Sequence, residues 1–332
     1  MDSLIPAMNQ LMSSSLAANT MRLYQTAYNG YLSFCRFAGL HPLPITEYNL
    51  LFYVTSVANR LAYQSIKTYL AGIQYHSVRL GTPTNIANMS QLYYLLRGVR
   101  RTQGRSHSRP PRSPVTTANL QPLLLFIQTQ DISSHDKRLL WAAITVAFFG
   151  LLRVSEYTSG HTTTYNRTNT LLRTDINFSP NFTHVAIVLR SSKTDPFRNG
   201  CCIRVGATAN TLCPVSALWN FVRQSGYNSG PLFTYSDGSY LSRSRLSSLL
   251  TACFSDKNLN THSLRIGGAS AMATAGLPDS SIMVMGRWSS NAYQRYLRFP
   301  DAMIQETARK MSHSVVTARI WDSELLVSKN ST

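Results

Sequence analysis

Apolar positions in the first third of the chain recur every three or four residues, the spacing of one face of an α-helix. The clearest stretch runs from Tyr24 to Ala38, and Gly39 follows it as a helix stop. Further helices are predicted from Thr46 through Val57, from Ser65 to Leu80 and from Met89 to Thr102. The pattern predicts a helical first domain over residues 1–104, with residues 1 to about 18 as a loose arm.

A second domain is predicted over residues 116–332, after a basic linker at 105–115 that is rich in Pro and Ser. It opens with apolar helices at about Leu120–Gln128 and His135–Leu152. Three short alternating segments, "RTDINFS", "HVAIVLR" and "NGCCIRV", predict strands, and "SSKTDPFRNG" predicts a hairpin turn between the last two. Helical spacing returns at Pro214. The predicted fold class is mainly α with a small antiparallel β-sheet in the second domain.

Charge narrows the choice of partner. Lys plus Arg is 32 and Asp plus Glu is 14, giving +18, and no acid occurs between Glu47 and Asp131. Such a surface attracts a polyanion, so a nucleic acid partner is favoured over a membrane surface or a merely basic protein. The predicted DNA-binding residues from this region are Arg60, Lys67, Arg97, Arg100, Arg101, Arg105, Arg109 and Arg112.

Other classes of protein are disfavoured by what the sequence lacks. It has no run of about 18 apolar residues, so no membrane partner is expected. The first residues have no basic segment followed by an apolar one, so we do not expect a secreted protein. The five cysteines lack the paired spacing of a zinc site and are interpreted as free thiols.

Two segments of the second domain carry candidate chemistry in their charged residues. In "FFGLLRVSE", Arg153 ends an apolar helix and Glu156 follows three residues later, either as an ordinary ion pair or as a carboxylate that aims the guanidinium at a phosphate. In "RSSKTDPFRNG", Lys193 stands at the predicted hairpin tip. It is either a solvated turn residue or a mobile proton donor that reaches a DNA groove.

Two later segments add a histidine, an arginine and aromatic residues. In "THSLRIGGAS", His262 and Arg265 are three residues apart on one helix, and the glycines after them allow another backbone to approach closely. In "GRWSSNAYQRYLR", Trp288 precedes Tyr293 and Tyr296. Helix capping and core packing are the ordinary alternatives for these side chains.

Taken in order, these residue types suit metal-free chemistry on a phosphodiester. Two arginine forks match the nonbridging oxygens of a phosphate, and a tyrosine hydroxyl can attack the phosphorus. A lysine can protonate the departing 5′ oxygen, and a histidine can act as acid or base. A tryptophan can only donate its indole N–H.

At these residues the sequence resembles the tyrosine recombinase/integrase family, whose pattern is Arg with a nearby acid, a hairpin Lys, His-x-x-Arg, His or Trp, and then Tyr. The resemblance covers about residues 115–300. The helical, basic first domain is similar to the family's core-binding domain. Details such as "SSKTDPFRNG", "LCPVSAL" and "AYQRYLR" resemble the recombinases of eukaryotic mobile elements of the Crypton and DIRS type.

The resemblance implies a role for each residue of the pattern. Arg153 and Arg265 clamp the phosphate, Glu156 supports them, Lys193 is the general acid, His262 is a basic helper, Trp288 fills the second His/Trp position, and Tyr296 is the nucleophile that forms a 3′-phosphotyrosyl bond. The interval from Trp288 to Tyr296 is one residue shorter than in many relatives, so Tyr293 is retained as the alternative nucleophile.

The resemblance also implies a two-domain clamp on duplex DNA, a homotetramer on two DNA sites, and a reaction without ATP, cofactor or metal. In a eukaryote the location would be the nucleus, and in a prokaryote the cytoplasm. Two alternatives stay open: a recombinase-derived DNA-binding protein that no longer cleaves, and a nicking-closing activity of the type IB topoisomerase kind. A metal-dependent transposase or retroviral-type integrase ranks low. Such an enzyme needs a carboxylate triad, and this chain has only 14 acidic residues, with none between Glu47 and Asp131.

Overall fold

The chain forms two compact units, Met1–Pro110 and Pro111–Thr332. The computed structural model describes residues 4–104, 112–192, 195, 199–226, 229–256, 258–298, 304–305 and 308–309. The division between the units falls within the segment predicted as a linker, residues 105–115, of which 105–111 lie outside the described residues. The architecture is mainly α-helical with one small antiparallel sheet in the second unit, as the sequence predicts.

The described part of the first unit is built from α-helices and one short 3₁₀ turn at Ile86–Asn88. The helices are Leu4–Ser13 (α1), Ala18–Ala38 (α2), Glu47–Val57 (α3), Tyr63–Arg79 (α4) and Ser90–Gln103 (α5). Within the segment predicted as a loose arm, residues Leu4–Ser13 form helix α1. Its side chains are not buried, so local propensity and not tertiary packing accounts for the helix.

The predicted helix ends in the first unit are confirmed where capping chemistry defines them. The backbone of Gly39 is left-handed, and its N–H bonds the carbonyls of the last turn of α2. The Thr46 hydroxyl accepts from the Asn49 N–H at 3.1 Å and caps α3. Helix α4 begins at Tyr63 rather than near Ser65. The buried Gln103 side chain accepts from the Tyr63 N–H at 2.7 Å and so ties the end of α5 to the start of α4.

The described part of the second unit contains seven α-helices, three strands and two 3₁₀ turns. The helices are Thr117–Thr129 (α6), Ser134–Phe149 (α7), Val154–Tyr157 (α8), Pro214–Gln224 (α9), Arg243–Cys253 (α10), Ser263–Thr274 (α11) and Asp279–Gly286 (α12). The strands are Ile176–Phe178 (β1), His184–Leu189 (β2) and Cys201–Gly206 (β3). The 3₁₀ turns are Arg173–Asp175 and Asn291–Tyr296.

The three strands form an antiparallel sheet in the order β1-β2-β3, and β2 and β3 are the predicted hairpin. Ile187 pairs with Ile203 across the hairpin and with Ile176 on the other side. Alternate residues of β2, Val185, Ile187 and Leu189, are buried, which is the period of two expected for a sheet with one covered face.

Helix α7 is the centre of the second unit. Every residue from Leu139 to Phe148 is buried, and α7 packs against α9 on one side and α11 on another. The helix ends at Phe149, three residues before the predicted end, and Leu151 then adopts a left-handed backbone with φ of 47°. The chain turns there, which places Arg153 at the start of the separate short helix α8.

Helix α11 lies directly against neighbouring backbone. A Cβ at Gly267 would overlap the carbonyl oxygen of Val115, and a Cβ at Gly268 would overlap that of Phe148. The Val115 N–H also bonds the Ser263 carbonyl at 3.0 Å. The glycines therefore allow the close backbone approach that the sequence predicts.

Adding a methyl group at this contact should be costly. We expect Gly267→Ala to lower the free energy of unfolding by roughly 1–3 kcal/mol, because the Val115 backbone has to move. Urea denaturation followed by circular dichroism measures the change. Gly160→Ala is the matched control, since a Cβ there meets nothing within 4 Å and should leave stability nearly unchanged. Equal stability of the two variants would contradict the tight contact.

Candidate active site

The turn after α7 presents Arg153 and Glu156. Glu156 is 3% exposed. Its Oε1 accepts from Arg153 Nη1 at 3.0 Å, and its Oε2 accepts from the Arg153 backbone N–H at 2.8 Å. The carboxylate therefore fixes both the side chain and the start of α8. The ion pair predicted within this segment is present.

A second guanidinium, which the sequence did not single out, binds the same carboxylate. Arg287 follows α12, and its Nη2 donates to Glu156 Oε2 at 2.7 Å. The only sequence signal was its place inside the stretch "GRWSSNAYQRYLR". Because Glu156 is 131 residues earlier in the chain, no local spacing could pair the two.

Helix α11 supplies His262 and Arg265. His262 is the residue before the first helical position, and its backbone N–H donates to Asn260 Oδ1 at 2.9 Å. Arg265 lies one turn further and is only 1% exposed. Its guanidinium donates to the main-chain carbonyls of Leu151 and Gly286. The Nε atom of Arg265 has no hydrogen-bond partner among the described residues.

The position of Arg265 perturbs its acidity. Burial first, and then the neighbouring charges of Arg153 and Arg287, lower the pKa of Arg265 to about 9. The group therefore stays protonated at neutral pH. The Trp288 ring offsets part of the cost of burying this charge, because the Arg265 Cζ lies 4.2 Å from the ring centroid.

The 3₁₀ turn Asn291–Tyr296 places Tyr296 against these residues. The centroid of its ring is 5.1 Å from that of His262 and 5.1 Å from that of Trp288. The Arg265 Cζ lies 5.8 Å from the Tyr296 ring. The Ser270 hydroxyl of α11 donates to the Tyr296 carbonyl at 3.1 Å and so holds the turn on the helix.

Tyr293 occupies a different environment from Tyr296. Its ring is 2% exposed and packs with Leu151, Ala269 and Ile282. Its hydroxyl donates to the Asp279 carboxylate at the start of α12, and this bond raises the pKa of Tyr293. The hydroxyl of Tyr293 is thus engaged within the protein, whereas the Tyr296 side chain is partly exposed in a groove that Arg112 and Arg298 also line.

The structure therefore brings together Arg153, Glu156, His262, Arg265, Trp288 and Tyr296, which the sequence placed in one site. Lys193 lies outside the described residues, as do Arg105 and Arg109. The remaining predicted DNA-binding residues are all exposed: Arg60, Lys67, Arg97, Arg100, Arg101 and Arg112.

Aromatic rings accompany the basic side chains of the first unit. Lys67 Nζ and Arg100 Cζ lie 6.0 and 5.9 Å from the Tyr63 ring, and Arg97 Cζ lies 5.7 Å from the Tyr93 ring. Tyr94 beside them is 68% exposed. This face of α4 and α5 offers cations and π-surfaces together, as surfaces that bind nucleic acids do.

The described residues contain neither a candidate metal cluster nor a candidate membrane helix. No group of three or more His, Cys, Asp or Glu side chains is arranged to hold a metal ion there. No helix in this part of the chain is long and apolar enough to cross a membrane.

The pKa of His262 makes the stability of the protein depend on pH. Burial first, and then the charges of Arg112, Arg265, Arg243 and Arg153, lower its pKa from 6.5 to about 4. The folded protein therefore keeps His262 neutral where the unfolded chain binds a proton. The stability that this difference supplies is complete above about pH 6.5 and is lost as the pH falls toward 4.

We expect the free energy of unfolding to fall between pH 7 and pH 5, with about 1–2 kcal/mol of the decrease due to His262. Urea denaturation at the two pH values and constant salt measures it. In His262→Gln the decrease should be smaller by that amount. His161→Gln, at an exposed position, should keep the wild-type decrease. An unchanged pH response in His262→Gln would contradict the buried neutral imidazole.

Solved structures with a similar fold include DNA complexes of recombinases and integrases. The XerH site-specific recombinase bound to its palindromic difH substrate aligns over 89% of this chain and 79% of its own, with 17% identity and a TM-score of 0.59. A lambda integrase dimer bound to a COC′ core site aligns over 89% and 76%, with 15% identity and a TM-score of 0.55.

The Tn1549 transposon integrase in complex with circular intermediate DNA aligns over 89% of this chain and 99% of its own, with 14% identity and a TM-score of 0.52. No family model and no curated protein sequence matches the chain. At these identities the similarity establishes the fold: the chain has the fold of the tyrosine recombinases.

Proposed function

We propose that this protein is a DNA strand transferase that cleaves and rejoins duplex DNA through a 3′-phosphotyrosyl intermediate. The observation that carries the proposal is the position of Tyr296. Its ring lies 5.1 Å from His262, a histidine held neutral, and 5.8 Å from the guanidinium carbon of Arg265, on a fold shared with DNA-bound recombinases.

In the proposed reaction, the Tyr296 hydroxyl oxygen attacks the scissile phosphorus and the bond from phosphorus to the 5′ oxygen breaks. Neutral His262 accepts the tyrosine proton, for which its lowered pKa supports the unprotonated form at neutral pH. Lys193 protonates the departing 5′ oxygen. Attack by a 5′-hydroxyl of a second duplex then reverses these steps, releases the tyrosine and joins the new strands.

The arginines supply positive charge where the transition state gathers negative charge. Arg153 reaches the phosphate from the start of α8, where Glu156 holds its Nη1. The buried Nε–H of Arg265 has no partner among the described residues, and a buried donor without an acceptor is unfavourable. A phosphate oxygen would satisfy it. No residue in this scheme requires a metal ion or ATP.

The broader context of the proposal has separate support. The exposed cations and tyrosines of α4 and α5 support duplex DNA as the partner. The resemblance of the motifs to Crypton and DIRS-type recombinases, together with the fold of a transposon integrase, supports a mobile element as the source. Assembly as a homotetramer on two DNA sites and, in a eukaryote, location in the nucleus complete the proposal.

A second candidate is a DNA-binding protein that does not cleave. One observation favours it: Arg265 is 1% exposed, and its two Nη atoms are already bonded to the carbonyls of Leu151 and Gly286. Contact with a phosphate through those atoms requires that these bonds are exchanged. The two candidates differ in whether DNA becomes covalently attached.

We expect the wild-type protein to form a covalent adduct with nicked DNA duplexes in the presence of EDTA. The duplexes are a set of overlapping segments that together cover the DNA flanking the gene of this protein. Tyr296→Phe should abolish the adduct because it removes the attacking oxygen. Tyr293→Phe should retain the adduct because the Tyr293 hydroxyl donates a hydrogen bond to Asp279 and does not attack the DNA. Denaturing gels with radiolabelled DNA measure it.

The outcomes separate the candidates. An adduct from Tyr296→Phe but not from Tyr293→Phe would reverse the assignment of the nucleophile. Binding without any adduct from the wild type would favour the silent DNA-binding protein. Relaxation of supercoiled plasmid without joining of two duplexes would favour the nicking-closing activity.

We also expect affinity for a non-specific duplex to fall about 10³-fold between about 50 and about 200 mM salt, because bound cations release counterions from DNA. Fluorescence anisotropy measures it. Changing both Arg97 and Arg100 to Gln should reduce the slope of log affinity against log salt by about two. Arg223→Gln, at an exposed position of α9, is the control. A slope unaffected by the double variant would exclude this face.

A further inference from the structure

Arg287 carries a mostly buried charge, and the proposed chemistry gives it no role. It directly precedes Trp288, and its side chain is 12% exposed. Its backbone is left-handed, with φ of 56°. Among the described non-glycine residues with positive φ, Leu151, Phe182 and Arg287, two lie in this site. A left-handed backbone is unfavourable for a residue that has a side chain, so the surrounding contacts have to hold it in place.

Most hydrogen bonds of the Arg287 side chain are made to the turn after α7 and the start of α8, and one is made to the Met285 carbonyl of α12. Nη2 donates to Glu156 Oε2 at 2.7 Å and to the Leu151 carbonyl at 3.2 Å, and Nη1 donates to the Gly150 carbonyl at 3.4 Å. The Leu151 carbonyl also accepts from Arg265. The left-handed turn at Leu151 thus presents one carbonyl oxygen to two guanidinium groups, which brings Arg265 and Arg287 close together.

The balance of charge shows what Arg287 contributes. Glu156 accepts from both Arg153 and Arg287. With Arg265, three guanidinium groups and one carboxylate give a net charge of +2, since three minus one is two. Without Arg287, the single negative charge of Glu156 would be opposed by Arg153 alone in this contact, and the net charge would be +1. Buried charges are weakly screened, so the change would reach a bound phosphate.

Glu156 therefore has two opposing effects on the site. It orients Arg153, and it also withdraws part of the positive potential that a phosphodiester would meet. Arg287 offsets the second effect while Arg153 keeps both of its bonds: Arg287 shares Oε2 with the Arg153 backbone N–H, and Arg153 Nη1 binds Oε1. Because the Arg287 guanidinium donates to main-chain carbonyls, it points into the protein. It would therefore act on a phosphate through Glu156 and the other two arginines.

We propose that Arg287 is a positioning residue of the strand-transfer reaction. Arg287 holds Glu156 in place and offsets the negative charge of that carboxylate. Arg153 and Arg265 therefore keep their positive potential toward the phosphate. This inference rests on the proposed function. It predicts that the contribution of Arg287 depends on the charge of the scissile phosphate.

The test uses Arg287→Met and Arg287→Lys with two substrates, one with an ordinary scissile phosphodiester and one with an uncharged methylphosphonate there. We expect Arg287→Met to form the adduct about tenfold more slowly or worse on the phosphodiester, as expected for loss of one charge several ångströms away. Arg287→Lys should recover much of the rate. On the methylphosphonate, Arg287→Met and the wild type should agree within about threefold.

Three outcomes overturn the inference. One is a wild-type rate for Arg287→Met on the phosphodiester. The second is an equal loss for the Met and Lys variants on both substrates together with a lower melting temperature, which would show a merely structural role. In the third, the wild type forms no adduct on either substrate, and the proposed function fails as well. Arg223→Met, on the exposed side of α9, controls for loss of one positive charge.

Discussion

The packing of α11 onto the backbone around the end of α7 is the constraint on which the rest of the site depends. Only residues without a side chain at Gly267 and Gly268 allow the helix to come this close to Val115 and Phe148. That approach puts Arg265, one turn from the start of α11, beside the Leu151 carbonyl. A helix displaced outward by a methyl group would lose the bond and, with it, the alignment of His262 and Tyr296.

The interior of the site is arranged around cations that have been removed from water. Full burial of Arg265 and partial burial of Arg153 and Arg287 are unfavourable unless each guanidinium group finds acceptors. The acceptors here are one carboxylate, Glu156, and main-chain carbonyls that the left-handed turn at Leu151 and the end of α12 expose. Trp288 adds an aromatic face 4.2 Å from Arg265, and Gly286 leaves room for that ring. The same low-dielectric surroundings that make these charges costly would make them effective on a phosphate in the proposed reaction.

Features of the fold with a local physical cause could be predicted from the sequence. The stop at Gly39, the cap at Thr46, the β2–β3 hairpin and the close approach at Gly267 each follow from the chemistry of a few neighbouring residues. Arg287 could not be recognised, because its partner is 131 residues away and only the folded chain joins them. Helix α1 was missed because none of its residues is buried among the described residues, so its sequence carries no clear pattern of apolar positions.

The sequence motifs grouped the candidate residues of the site, yet they could not distinguish the two tyrosines by spacing alone. The folded chain gives them different surroundings: Tyr293 is buried on Asp279, and Tyr296 faces the groove beside His262. Peptide mass spectrometry of a trapped protein–DNA adduct tests the central claim most directly. A nucleotide attached to Tyr296 is the predicted result, and attachment to Tyr293 or to any other residue would contradict it.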